Sequence, residues 1–271
     1  MALPEPFYLP LRRGRRFCVR YSANGPARGS LLFVHAFAEE MNKSRRMVAL
    51  QARALADRGF GVLLVDLHGC GDSDGDFGDA DWAGWRDDVV DAALWWRAQS
   101  GHAPILWSMR AGCLLACDAA GAMGAEQFLF WQPQPTGAQA LQQFLRLRVA
   151  QGLGSSTQPR AKTQDLRDAL ARGESLEVAG YVMAPGLALG LEAANLALPR
   201  HAVRAAWIEI VPDADTEVRP AAQAHVDAWR DSGLDATLHS VPGPAFWQTQ
   251  EIAESAALVE ATAAIVGAWP R

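Results

Sequence analysis

The chain has 271 residues, half of them hydrophobic and 20% charged, with a formal net charge of −5. That balance is globular and rules out disordered and fibrous classes. An acidic surface excludes the basic footprint of a nucleic-acid binder. The first residues, Met1-Ala2-Leu3-Pro4-Glu5-Pro6, lack an apolar signal core, and the longest strongly apolar stretch, 180–191, is too short to cross a bilayer. A soluble, cytoplasmic protein is expected. The four cysteines (18, 70, 113 and 117) form no CxxC pair, which fits reduced thiols and no zinc site. No metal and no cofactor are expected.

Taken in chain order, residues 16–21 and 31–34 read as strands separated by the turn Asn24-Gly25-Pro26. A helix is predicted over 44–58, where Met47, Leu50, Ala54 and Leu55 recur at helical spacing before Gly59. GVLLVD at 61–66 has the near-continuous apolar run of a strand buried on both faces. A helix over 82–99, a strand at 105–107, a helix over 110–120 and a strand at 128–131 follow. The alternation predicts a mostly parallel sheet covered by helices on both sides.

From Pro133 to Arg200 the alternation lapses. A Gln-rich helix (137–151), a Gly/Ser break (152–156), a charged helix (163–172) and an apolar helix (185–198) read as an inserted, mainly helical cap. Alternation then resumes with a strand at 206–211, a helix at 220–231, a strand at 236–241 and a last helix from about Gln248. The expected division is a core of residues 1–132 and 201–271 with a cap insertion of 133–200.

Three segments carry the chemistry. LLFVHAF (31–37), VDLHGCGDSDG (65–75) and ILWSMRAGCLLA (105–116) stand in the order and spacing of an oxyanion-hole strand, the loop after the next strand, and a nucleophile elbow. Together they resemble the α/β-hydrolase superfamily. FAEEMNKSRRM (37–47), HGCGDSDGDFGDA (68–80) and VPGPAFWQTQE (241–251) resemble the exosortase A system-associated hydrolase 2 family over nearly the whole chain. This second resemblance implies a link to bacterial exopolysaccharide and protein-sorting systems, and ester-bond hydrolysis as the family activity.

The catalytic groups of that fold are not where the resemblance implies. The elbow needs G-x-S-x-G, and here reads Ser108-Met109-Arg110-Ala111-Gly112. Arg110 is always protonated and cannot attack an acyl carbon. Ser108 falls at the strand end, where a packing or turn role is expected. The slot of the general base, after the last strand, holds Phe246 and Trp247, and all six histidines precede it. Asp213 or Asp215 could fill the acid position, but without a histidine to orient neither has a triad role.

What the sequence leaves is an anion-friendly pocket. Backbone N–H groups near Ala36, Phe37 and Ala111 are expected to face it, beside a helix N-terminus. Arg110 could grip a carboxylate or phosphate there. Alternatively, Glu39 or Glu40 neutralises Arg110 and the side chain plugs the former site. Three functions compete. The chain binds an anionic or acyl-bearing small molecule with the serine triad lost; or it hydrolyses esters or thioesters through water activated by Glu39 or Glu40; or it is a partner or scaffold in polysaccharide assembly.

Other clusters read blandly. Asp72, Asp74, Asp76, Asp79 and Asp81 miss the calcium-loop pattern, because Phe77 and Ala83 replace the required Gly and Glu. Cys70 and Cys113 lack a histidine partner. His35 and His68, at strand ends near the cleft, suit structural hydrogen bonding, and the tryptophans at 82, 85, 95 and 96 suit packing.

Overall fold

The structure, a computed structural model, describes residues 2–152 and 162–269. Eight strands form one sheet. They are β1 (Pro4–Leu11), β2 (Gly14–Tyr21), β3 (Gly29–Val34), β4 (Phe60–Val65), β5 (Pro104–Met109), β6 (Gln127–Trp131) and, after an insertion, Arg204–Val211 and Asp235–Pro242. The insertion carries its own hairpin, β7 (Leu176–Val178) and β8 (Tyr181–Met183), so the last two sheet strands are β9 and β10. Spatial order is β1-β2-β4-β3-β5-β6-β9-β10. Every pairing from β4 to β10 is parallel, and β1 and β2 run antiparallel at one edge.

The parallel strands are apolar on both sides because helices cover both faces. On one face α1 (Glu39–Asp57) and α8 (Ala256–Ala268) pack over Phe33, Trp107, Trp131 and Ile208. On the other, α2 (Trp82–Ser100), α3 (Gly112–Met123) and α7 (Pro220–Asp231) cover Leu32, Leu106, Phe128 and Trp207.

One strand and three helix boundaries depart most from the sequence expectation. β1 was not foreseen, since Pro4, Pro6 and Pro10 argue against a strand. They are tolerated because β1 is an edge whose outer side needs no ladder hydrogen bonds. Helix α1 starts at Glu39 rather than Ser44, and the last helix starts at Ala256, where Ser255 caps it by accepting from the Leu258 N–H at 3.2 Å. The apolar helix of the insertion, α6 (Pro185–Ala193), ends earlier than residue 198.

The inserted segment between β6 and β9 consists of α4 (Gly137–Gly152), α5 (Thr163–Ala171), the β7–β8 hairpin and α6. Most of the expected Gly/Ser break lies outside the described residues. Sequence reading missed the hairpin, whose two-residue loop places Ala179 and Gly180 both at positive φ (51° and 84°). The insertion is packed tightly, both within itself and against the core. A Cβ added at Gly137 would lie 1.5 Å from the Leu191 carbonyl oxygen, and one at Gly190 would lie 2.2 Å from Cβ of Trp82. Neither helix contact tolerates even a methyl group. Among the described residues no helix is long and apolar enough to cross a membrane.

Candidate functional site

In a parallel sheet with crossover helices, ligand sites form beyond the carboxyl ends of the strands. Here that end is marked by strain. Ala38 before α1, Arg110 after β5 and Gln132 after β6 are non-glycine residues at φ of 50°, 55° and 45°. Gln132 is held by its neighbours: its N–H donates to the Ile208 carbonyl, and its Oε1 accepts from the Ile210 N–H at 2.6 Å.

The strand-turn-helix of a nucleophile elbow is present in full, with arginine at its tip. The Arg110 N–H donates to the Trp131 carbonyl at 3.0 Å, and its own carbonyl accepts from Cys113 N–H to begin α3. A Cβ at Gly112 would come within 2.2 Å of the His35 carbonyl oxygen, so only glycine lets α3 approach β3 this closely. This turn aims the Arg110 side chain toward the end of the sheet.

There the guanidinium is taken. It is 5% exposed, and its Nε donates to Glu40 Oε1 and Oε2 at 3.1 and 3.2 Å. A second donation, from Nη2, reaches Gln143 Oε1 at 3.1 Å, and Gln134 Nε2 donates to that same oxygen at 2.7 Å. The Trp247 ring lies 5.5 Å from the guanidinium carbon. Of the two carboxylates named as partners, Glu40 makes the ion pair, while Glu39 Oε2 is buried without a hydrogen-bond partner. Burial raises both carboxyls above the usual carboxylate range, and for Glu40 the adjacent guanidinium opposes that shift. Of the two alternatives, an open cation and a neutralised one, the structure has the closed pair with Glu40, because a guanidinium this deep requires a counter-charge.

Above the pair opens a cleft of about 470 Å³, walled by Phe37 and Lys43, by Ala111, by Gln143 and Phe144 of α4, and by Trp247. Its volume lies in the range of small-molecule sites. Glu39, Glu40 and Arg146 also face it, whereas Arg110 lies beneath its wall. Phe37 and Ala111 both line the cleft. Ala36 is not among the residues lining the cleft, and its side chain sits in the core of the α1 face. Phe246 is also core, 1% exposed and packed edge-on against Trp131 and Trp247. Asp213 and Asp215 are exposed after β9, outside the cleft. There Asp213 Oδ1 accepts from the Asp215 N–H and the Thr216 hydroxyl, a turn role.

The remaining candidates are buried or tied into the surrounding structure. His35 is buried. Its Nδ1–H donates to the Ala36 carbonyl and its Nε2 accepts from the Leu67 N–H, which fixes a neutral tautomer, and burial lowers its pKa. Ser108 is fully buried in β5, under the elbow. Burial pushes the Cys113 thiol up to about 12 and the Cys70 thiol higher still, so neither is a thiolate at neutral pH. The acidic loop is drawn into ion pairs, Asp74 with Arg15 and Asp81 with Arg13, and Asp81 also caps α2. Among the described residues no cluster of three or more histidine, cysteine or carboxylate side chains could hold a metal.

Sequence reasoning overlooked Gln134, Gln143 and Arg146. Ala140, Gln143, Phe144 and Leu147 recur at helical spacing on α4, and that stripe was the available signal for a wall.

No protein-family model and no curated protein sequence matches the chain. Solved structures do. Est1E from Butyrivibrio proteoclasticus with ferulic acid bound is 15% identical, over 96% of this chain and 97% of that one, with a TM-score of 0.66. A soluble variant of monoglyceride lipase from Saccharomyces cerevisiae, in complex with a substrate analog, is 14% identical over 99% and 94%, with a TM-score of 0.61. XC6422 from Xanthomonas campestris, an α/β serine hydrolase without lid, is 18% identical over 96% and 91%, with a TM-score of 0.53. At these identities the likeness is one of fold. The chain has the α/β-hydrolase fold.

Proposed function

We propose that this protein binds an acyl-bearing or anionic small molecule in the cleft without serine-hydrolase chemistry, as a pseudoenzyme of the α/β-hydrolase fold. One observation carries the reading: the elbow tip is Arg110, held in a buried ion pair with Glu40. A protonated guanidinium is no nucleophile, and Phe246 and Trp247 supply no proton acceptor where a base would stand. The cleft itself is retained, with Phe37, Phe144 and Trp247 offering an apolar wall for an acyl chain. Residues 133–200 act as the cap over it, and the α4 contacts to Arg110 support that assignment. The resemblance of residues 37–47, 68–80 and 241–251 to the exosortase A system-associated hydrolase 2 family supports a cytoplasmic role in a bacterial exopolysaccharide or exosortase-linked system.

A second reading rests on Glu39, whose desolvated carboxylate lines the cleft with Oε2 unpartnered. Such a group could activate water. One experiment separates the two: p-nitrophenyl esters of four- to ten-carbon acids are tested for turnover and for their effect on the melting temperature. A ligand at a hundredfold excess over Kd stabilises the folded state by roughly 2.7 kcal/mol. The binding reading expects a raised melting temperature and no release of nitrophenol above background. Turnover abolished by Glu39→Gln would replace it with the carboxylate-activated hydrolase.

A further inference from the structure

Resting on the binding reading just given, the chemistry of the cleft can be narrowed by asking which of its charges are free. Four charged side chains line it. Glu40 is neutralised from beneath by Arg110. Glu39 is left, and against it stand two cations, Lys43 on the second turn of α1 and Arg146 on α4. Among the described residues neither cation forms an ion pair with any carboxylate within 4 Å, whereas most other arginines of the described chain are paired. Counted with Arg110 beneath it, the lining carries one net positive charge. Lys43, which lies in the field of Glu39 and Glu40 without a contact ion pair, comes from the core helix α1, and Arg146 comes from the inserted helix α4. Between them the walls are apolar, with Phe37, Phe144, Leu147 and Trp247.

We infer that the cleft selects amphiphiles with an acidic head, a carboxylate or a phosphate ester, held by Lys43 and Arg146, with the hydrocarbon lying on the Phe37–Phe144–Trp247 wall. The anion grip is thus displaced from the elbow to the cleft walls. A guanidinium and an ammonium suit either acid, since both donate several charge-assisted hydrogen bonds. A shared head would bridge α1 and α4, which ties occupancy to the inserted segment. Glu39, the carboxylate of the lining that lacks an ion-pair partner, opposes the head and sets a ceiling on affinity.

Isothermal titration at pH 8 of the whole protein with octanoate, octyl phosphate and octan-1-ol tests this. The tail is constant and only the head changes. Octanoate and octyl phosphate are expected to bind at least about tenfold more tightly than octan-1-ol, a difference of about 1.4 kcal/mol. Lys43→Ala combined with Arg146→Ala should remove that preference and leave octan-1-ol binding unchanged, and Glu39→Gln should strengthen the binding of both acids while leaving that of octan-1-ol as it is. Both cations are at the surface of the cleft, so the double variant keeps the native core, and its melting temperature checks this. If octan-1-ol binds as tightly as the acids, or the double variant keeps the preference, the acid-selective site is wrong while ligand binding stands. If none of the three binds, the binding reading itself falls.

Discussion

Arg16 and Arg110 are the two buried arginines among the described residues, and each faces one carboxylate, yet their surroundings differ. Arg16 on β2 is wholly enclosed. Its Nε donates to Asp88 at 2.7 Å and its Nη1 to the carbonyls of Arg13 and Arg15, while Asp88 also accepts from the His68 N–H. That pair stitches β2, the loop after β4 and α2 together, although Arg16 Nη2 is buried without a partner. Arg110 closes a site instead. Its partner Glu40 keeps a fifth of its side chain exposed to the cleft, and its other hydrogen-bond partner, Gln143, comes from the inserted segment. The first pair is a rivet of the sheet. The second is a plug in a place where the fold presents a reacting group.

The difference can be broken by mutation, beginning with the largest effect. Arg16→Ala leaves Asp88 charged and enclosed, and should cost about 3–5 kcal/mol in denaturant unfolding. Replacing both partners, as in Arg16→Met with Asp88→Leu, should recover little, because the His68 N–H and two backbone carbonyls lose their partners as well. Arg110→Ala should cost less, about 3 kcal/mol or below, since Glu40 can reach cleft water. Here Arg110→Met with Glu40→Leu should restore most of the loss. A double variant at Arg110 and Glu40 as unstable as the single one would mean that the pair is more than a plug.

A smaller effect concerns pH. The neutral, buried His35 ties the cleft loop to the end of β4, and its pKa lies below the ordinary value near 6.5. The unfolded chain therefore takes up a proton that the folded chain refuses. That contribution is complete above about pH 6.5 and is lost as pH falls toward the lowered folded value, with a slope of at most about 1.4 kcal/mol per pH unit. His35→Gln should be less stable overall and show a flatter decline between pH 7 and 5. An unchanged slope would show that His35 does not govern it.

Much of this was legible in the sequence. The alternation of GVLLVD, ILWSM and FLFW with amphipathic helices predicts the parallel sheet, and Ser108-Met109-Arg110-Ala111-Gly112 places the elbow within a residue. β1 was hidden because prolines obscure an edge strand, and the β7–β8 hairpin because three-residue strands leave no periodic signal. At the site, sequence order named Glu40 as a possible partner of Arg110 but could not choose it over Glu39, a choice made by the strained entry to α1 at Ala38. Nor could it reveal Gln143 and Arg146, which reach the cleft only because Gly137 lets α4 settle against α6. Phe246 was assigned to the pocket from its place in the chain, and its ring turns inward to the core.

The central claim is that no activated serine stands at this elbow. The most direct measurement is intact-protein mass after incubation with a fluorophosphonate, which forms a stable adduct with activated serines. With Arg110 at the tip and Ser108 fully buried beneath it, the mass is expected to stay unchanged at stoichiometric probe. Rapid one-to-one labelling, mapped to Ser108 or Ser73, would contradict the account.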